Sequence, residues 1–225
     1  MRSCRSFLVC CVIAVSLCAT LAVPATVQAA TVFTNLSGTI ASNLPVGITG
    51  ADWTYGAQQF NSGNNTLVTD VTLYLARAAG TVTGNYNVEV WSNVSNLPGA
   101  LVGSIATAQD PSGVTTSGPQ TVNFSGNVAV SPNTAYWIVM NMANNASQLQ
   151  WQYTNDSPTS PGFVGVAGTS LLVSADQTDS FTTPAGITDG RLMMSVVAVP
   201  EPATTSLLAA AGVVAGIGIV RRRRR

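Results

Sequence analysis

Apolar residues fall at every second position in one short segment after another, and that period of two confines most of this chain to β-strands. Val71-Thr72-Leu73-Tyr74-Leu75 and Tyr86-Asn87-Val88-Glu89-Val90-Trp91 alternate, rich in β-branched and aromatic residues. Thr121-Val122-Asn123-Phe124 and Leu149-Gln150-Trp151-Gln152-Tyr153 do the same. Tyr136-Trp137-Ile138-Val139-Met140 is apolar on both faces, as a central strand covered on both sides must be. Residues 53–60, 101–107, 163–166, 171–173 and 192–199 are further strand candidates. Turn-forming runs separate them: Asn61-Ser62-Gly63, Ala79-Gly80, Leu97-Pro98-Gly99, Asp110-Pro111-Ser112-Gly113, Ser125-Gly126-Asn127 and Ser131-Pro132-Asn133. No long window outside the two terminal apolar segments carries the 3.6-residue period of a helix. Many short strands without helices predict two antiparallel sheets packed face to face, a β-sandwich or jelly roll. No self-similar period is present, which excludes a repeat array.

The two ends of the chain carry signals of another kind. Arg2 and Arg5 form a positive start, residues 7–22 an apolar run, and Val27-Gln28-Ala29 sets small residues where signal peptidase reads them. Residues 1–30 therefore read as a secretory signal peptide, cut after Ala29 or Ala30. All four cysteines, Cys4, Cys10, Cys11 and Cys18, lie in this removable segment. Val9 and Leu17, which precede Cys10 and Cys18, are too large for a lipobox. The exported stretch then has no disulfide, no thiolate nucleophile and no thiolate metal site.

At the other end, Val199-Pro200-Glu201-Pro202 is followed by 18 uncharged, mostly small or apolar residues and then by Arg221, Arg222, Arg223, Arg224 and Arg225. Pro200 and Pro202 fix φ and remove two backbone donors, which keeps the chain around Glu201 extended. Residues 203–220 would be about 27 Å long as a helix, close to the hydrocarbon core of a bilayer. The arginine block is a stop-transfer signal that stays on the cytoplasmic side. A plain membrane anchor with Pro-Glu-Pro as a stiff hinge fits the hydropathy too. Gly212, Gly216, Gly218 and five alanines, however, make a weak span. Motif, weak helix and arginine block, in that order, resemble the PEP-CTERM sorting tail of bacterial surface and exopolysaccharide-associated proteins. The resemblance implies recognition and removal of the tail by exosortase, a membrane-embedded cysteine protease. It also implies a mature protein at the cell surface or in the extracellular matrix, anchored only transiently in the inner membrane. The chain thus divides into a signal peptide (1–30), a β-sandwich ectodomain (31–198) and a sorting tail with a transmembrane helix (199–225).

The stretch 31–199 carries two cations, Arg77 and Arg191, against eight carboxylates, a formal balance of −6. With no lysine and two scattered arginines it lacks the electrostatic footprint of a nucleic-acid or anionic-lipid binder. Histidine is absent from the whole chain, which excludes Ser-His-Asp and Cys-His machinery and histidine-ligated zinc. The absence of lysine excludes Ser-Lys dyads, Schiff bases and a Walker-type phosphate site. A carboxylate pair about 5–9.5 Å apart could still cleave glycosides. Most acids here, however, sit in turns such as Asp110-Pro111 and Asp156-Ser157-Pro158, where loop solvation is their ordinary role. Asp176-Gln177-Thr178-Asp179 looks like part of a calcium loop but lacks an EF-hand's regular ligands and trailing glutamate. No cofactor is expected.

Gln58-Gln59-Phe60, Asn96-Leu97-Pro98-Gly99-Ala100-Leu101 after a Val-Glu-Val-Trp strand, and Ser131-Pro132-Asn133-Thr134-Ala135-Tyr136-Trp137-Ile138-Val139 before a late Trp151 occur in that order. These segments resemble the choice-of-anchor ectodomains, most nearly the R type, over roughly residues 50–199. That family brings no enzymatic activity with it. Two functions remain open on the residues. One is a non-catalytic surface or matrix protein associated with exopolysaccharide or biofilm. The alternative is a carbohydrate-binding module in which Trp53, Tyr55, Trp91, Trp151 and Tyr153 stack on sugar rings, although aromatics in alternating strands more often fill a core.

Overall fold

A computed structural model describes residues 28–46, 55–78, 84–142, 149–156, 171–174, 180–183 and 190–200. Among them, twelve strands follow in order: β1 (Ala30–Thr34), β2 (Ser42–Val46), β3 (Tyr55–Asn61), β4 (Asn65–Arg77), β5 (Tyr86–Val94), β6 (Leu97–Gln109), β7 (Gln120–Ala129), β8 (Ala135–Met142), β9 (Leu149–Thr154), β10 (Leu171–Ser174), β11 (Arg191–Leu192) and β12 (Met194–Pro200). One short 3₁₀ turn, Pro111–Gly113, interrupts them. Trp53 and the strand expected over 163–166 lie outside the described residues.

The strands form two antiparallel sheets, as the alternation predicts. The first runs β1-β12-β4-β9-β11, with β7 also on β4 and β2 also on β9; the second runs β10-β3-β8-β5-β6. Their inner faces share one core. Phe33, Leu73, Leu75 and Trp151 come to it from the first sheet, and Phe60, Tyr86, Ile138 and Met140 from the second. Strand β8 is the interior strand expected, paired with β3 on one side and β5 on the other. Its two apolar faces serve two clusters. Ile138 and Met140 enter the inter-sheet core, while Trp137 and Val139 turn to the outer face and pack with Ala57, Trp91, Leu172 and Phe181.

Two expected turns are strand instead, each for a local reason. The β5–β6 hairpin turns at Ser95-Asn96, both with positive φ (53° and 64°), between the paired Val94 and Leu97. Two such residues give the primed turn whose twist matches the flanking strands, and Asn tolerates it best. Leu97-Pro98-Gly99 therefore opens β6 rather than forming the turn. Ser125-Gly126-Asn127 lies inside β7, where the ladder with β4 shifts between Ser125↔Asp70 and Val128↔Val68. A Cβ on Gly126 would stand 2.5 Å from the Ile105 carbonyl oxygen, so glycine here permits close backbone approach rather than a reversal.

The turns after β3 and before β8 are where expected, and they are tied to each other. Ser62 donates its backbone N–H to the Thr134 carbonyl (3.0 Å) and its hydroxyl to the Ser131 carbonyl (2.7 Å). Asn133 N–H donates to the Gly63 carbonyl. Val130 N–H reaches the Thr66 carbonyl at 2.9 Å. Buried polar backbone is thus satisfied where two loops cross.

Replacing Ile138, which has no exposed surface, by aspartate is expected to cost about 4 kcal/mol or more, measured by urea denaturation. An unchanged midpoint would mean that β8 is not interior. Tyr86 gives a second test. Burial first, and the nearby Asp110 charge second, push its phenol up from 10.0 to about 12. The folded state holds this proton more tightly than the unfolded chain. Its contribution to stability is therefore complete below pH 10 and lost as pH rises from 10 toward 12. Tyr86→Phe should flatten that alkaline loss.

Candidate functional site

Of the residues marked by sequence for processing, Ala30, Val199 and Pro200 lie at the ends of two neighbouring strands. β12 reads Met194-Ser195-Val196-Val197-Ala198-Val199-Pro200, and its alternation drives Met194, Val196 and Ala198 into the core. Core contact therefore carries the strand through the first two residues of the sorting motif. Val199 pairs with Leu67 and Pro200 with Asn65, both on β4, and both are half-buried. Pro200 has no N–H to offer a continuing ladder, which suits the last position of a strand.

On the other side β12 pairs with β1, in the register Ala30↔Ala198, Thr31↔Val197, Phe33↔Val196 and Thr34↔Ser195. Asn35 clamps the far end of this ladder. Its side chain donates to the Leu192 carbonyl (3.0 Å) and accepts from Met194 N–H (2.7 Å), and its own N–H donates to the Met194 carbonyl (3.1 Å). Ala29 and Ala30, the residues flanking the expected signal cut, are exposed. The structure therefore brings Ala30 within one residue pair of Val199. The sequence reading passed over β1 although Thr31-Val32-Phe33-Thr34 is rich in β-branched and aromatic residues, and with β1 it missed this juxtaposition. Glu201, Pro202, residues 203–220 and the arginines from Arg221 to Arg225 lie outside the described residues. Among the described residues no helix is long and apolar enough to cross a membrane.

The aromatic residues considered for sugar stacking separate into different surroundings. Trp151 is fully buried between the sheets, and its indole N–H donates to the Met193 carbonyl at 2.9 Å. Trp91 is 7 % exposed, on the outer face of the second sheet, in an edge-to-face triangle with Tyr55 and Phe181 at 6.0–6.4 Å between centroids. Tyr55 and Tyr153 are half-buried.

A polar network runs beside the Trp91 triangle. The indole N–H of Trp91 and the amide of Asn141 both donate to Glu89 Oε2 at 2.9 Å. Asn87 donates to Asn141 Oδ1 at 3.1 Å. Farther along β5, Asn93 Oδ1 accepts from Trp137 (2.9 Å) and Gln59 (3.0 Å). Glu89, 6 % exposed, has neutral donors around its Oε2.

The other described acids hold loops or strands. Asp70 accepts from the Ser125 hydroxyl (2.7 Å) across β4 and β7. Asp110 caps the 3₁₀ turn, accepting from Ser112 N–H, and that bond holds its carboxyl below the usual carboxylate range. Asp156 accepts from Thr39 N–H at 2.6 Å and is lowered likewise. Asp52, Asp176, Asp179 and Asp189, with the calcium-like loop, lie outside the described residues.

Residues 198–225 match the PEP-CTERM protein-sorting motif. That match supports an exosortase substrate and implies export with sorting at the membrane or cell surface. No curated protein matches the chain.

Truncating Glu89 to alanine leaves the Trp91 and Asn141 donors without an acceptor in a nearly dry site. The expected loss is about 2–4 kcal/mol by thermal or urea unfolding. Glu89→Gln keeps an oxygen acceptor and should cost about 1 kcal/mol. Equal losses in the two variants would show that the carboxylate oxygen is not what holds the network.

Proposed function

We propose that this protein is an exported, non-catalytic surface or matrix component, cut by exosortase near Pro200–Pro202 and retained in an extracellular polysaccharide layer. The match of residues 198–225 to the sorting motif carries this reading. Signal peptidase cuts after Ala29 or Ala30, and the helix of residues 203–220 holds the precursor in the inner membrane until the second cut. The ectodomain is a choice-of-anchor sandwich of the R type. Its role is adhesion or structure in a biofilm-like matrix.

Several features favour this role over a defined glycan pocket or a hydrolase. Trp91 and Trp151 give their indole donors to protein groups, Asp70 and Asp156 accept from a neighbouring strand or loop, and Asp110 accepts from the turn it caps. The exported stretch has two cations and no histidine, lysine or cysteine to supply acid–base or nucleophilic chemistry near neutral pH. A surface of Asn, Thr, Ser and Gln can make weak hydrogen bonds to hydrated polysaccharide at many points, and repeated contact offsets the weakness of each.

Mass spectrometry of the extracellular form tests the processing. The expected chain begins at Ala30 or Thr31, ends near Pro200–Pro202 and lacks every tail arginine. Replacing Glu201 should leave a membrane-held precursor. A mature protein that keeps Arg221–Arg225 would make the tail a plain anchor. The same purified form should be retained on polysaccharide columns and release no reducing ends. Turnover that vanishes in one Asp or Glu variant would establish a hydrolase instead.

A further inference from the structure

We propose that strand β12 gates the sorting cut: Val199 and Pro200 must leave the sheet before the protease can read the motif, and the pairing of β1 fixes how far the strand opens. This rests on the exosortase reading above and adds a control that the linear motif does not contain.

The observation is that the motif has no spacer from the fold. Val199 and Pro200 are the last two residues of β12 and already have partners in Leu67 and Asn65 of β4. A protease that binds its substrate as an extended strand uses the same backbone groups and side-chain faces that a sheet uses. The edge of Val199 that faces β4 cannot serve both at once. The half-buried side chains of Val199 and Pro200 face the same competition.

The ladder is built to release this end alone. Its register shifts between Val197 and Ala198, and again between Val199 and Pro200. Such irregularities leave backbone groups out of the regular pairing, and Pro200 has no N–H to contribute. On the opposite side, the β1 ladder stops at Ala30↔Ala198. Residues 199–200 are therefore held from one side, whereas residues 195–198 are held from two. Fraying that starts at Pro200 meets a sharp rise in cost at Ala198, where β1 begins. The motif can open while the core residues Met194, Val196 and Ala198 stay packed. After the cut, the mature chain ends in a complete β12.

The test follows loss of the tail from the full-length precursor in exosortase-bearing membranes by pulse-chase. A Gly-Ser-Gly-Ser-Gly leash inserted between Ala198 and Val199 keeps the motif intact but frees it from β4. Cleavage should accelerate several-fold. The converse variant, Leu67→Cys with Val199→Cys, places two thiols on directly opposed residues of an otherwise cysteine-free exported stretch. Under the same oxidation the double variant should be cut at least about tenfold more slowly than wild type and Val199→Cys, which report any effect of the oxidant on the protease's own cysteine, and dithiothreitol should abolish that difference. Tail loss that is indifferent both to the leash and to the redox state of the lock would overturn the gate, because the protease would then be reading a zipped strand. If no protein in the set loses its tail, wild type included, the exosortase reading is itself wrong and the gate falls with it.

Discussion

The insertion of the last strand, β12, between β1 and β4 is the pairing on which the rest of the first sheet depends. Without it, β1 has no partner among the described residues, and β4 loses one edge along most of its length. The chain segments involved are separated by more than a hundred residues, so their contact is among the most costly in loop entropy. What offsets that cost is the inward row Met194, Val196 and Ala198, together with the three hydrogen bonds of Asn35 at the entry to the strand. Just upstream, Met193 is a junction. Its N–H donates to Gln152 of β9, and its carbonyl accepts from Tyr74 N–H of β4 and from the Trp151 indole. One residue thus passes the chain from β9 to β4, and a fully buried tryptophan pins the transfer.

The second sheet solves a different problem. Both its faces are covered near β8, so polar side chains on its outer face must be satisfied with little water and with almost no cations to pair with. Amides do this. Asn87, Asn93, Asn141 and Gln59 have both donors and acceptors, and they link two indoles and one carboxylate into short chains of bonds. A composition rich in Asn and Gln and empty of lysine is therefore structural as well as superficial. It lets a strand such as β5 carry a buried acid without an ion pair.

Much of this was legible in the sequence. The period of two located β4, β5, β7 and β9, and the double-faced apolar run identified β8 as interior. The turns at residues 61–63 and 131–133 were readable because glycine, proline and asparagine have distinct backbone preferences there. Two other turn-like runs misled. At Leu97-Pro98-Gly99, strand twist favoured the Ser95-Asn96 pair two positions earlier. At Gly126, the residue serves a close approach to Ile105 of β6, the preceding strand but one that belongs to the other sheet. Register was invisible for the same reason. Nothing local to Val199 announces Leu67 as its partner, and nothing local to Ala30 announces Ala198. The tail was legible because its three parts are contiguous, whereas the polar network around Glu89 required Asn141 from another strand.

The antiparallel pairing of β1 with β12 also has a mechanical meaning. Ala30 and Pro200 stand at the same end of adjacent strands. A force pulling these two strand ends apart would peel the ladder one pair at a time, the direction in which a sheet resists least. A load entering through a single terminus would act otherwise. It would drag β12 lengthwise past two neighbours and strain several hydrogen bonds together. Tethering by one end alone therefore places the domain in its stronger orientation.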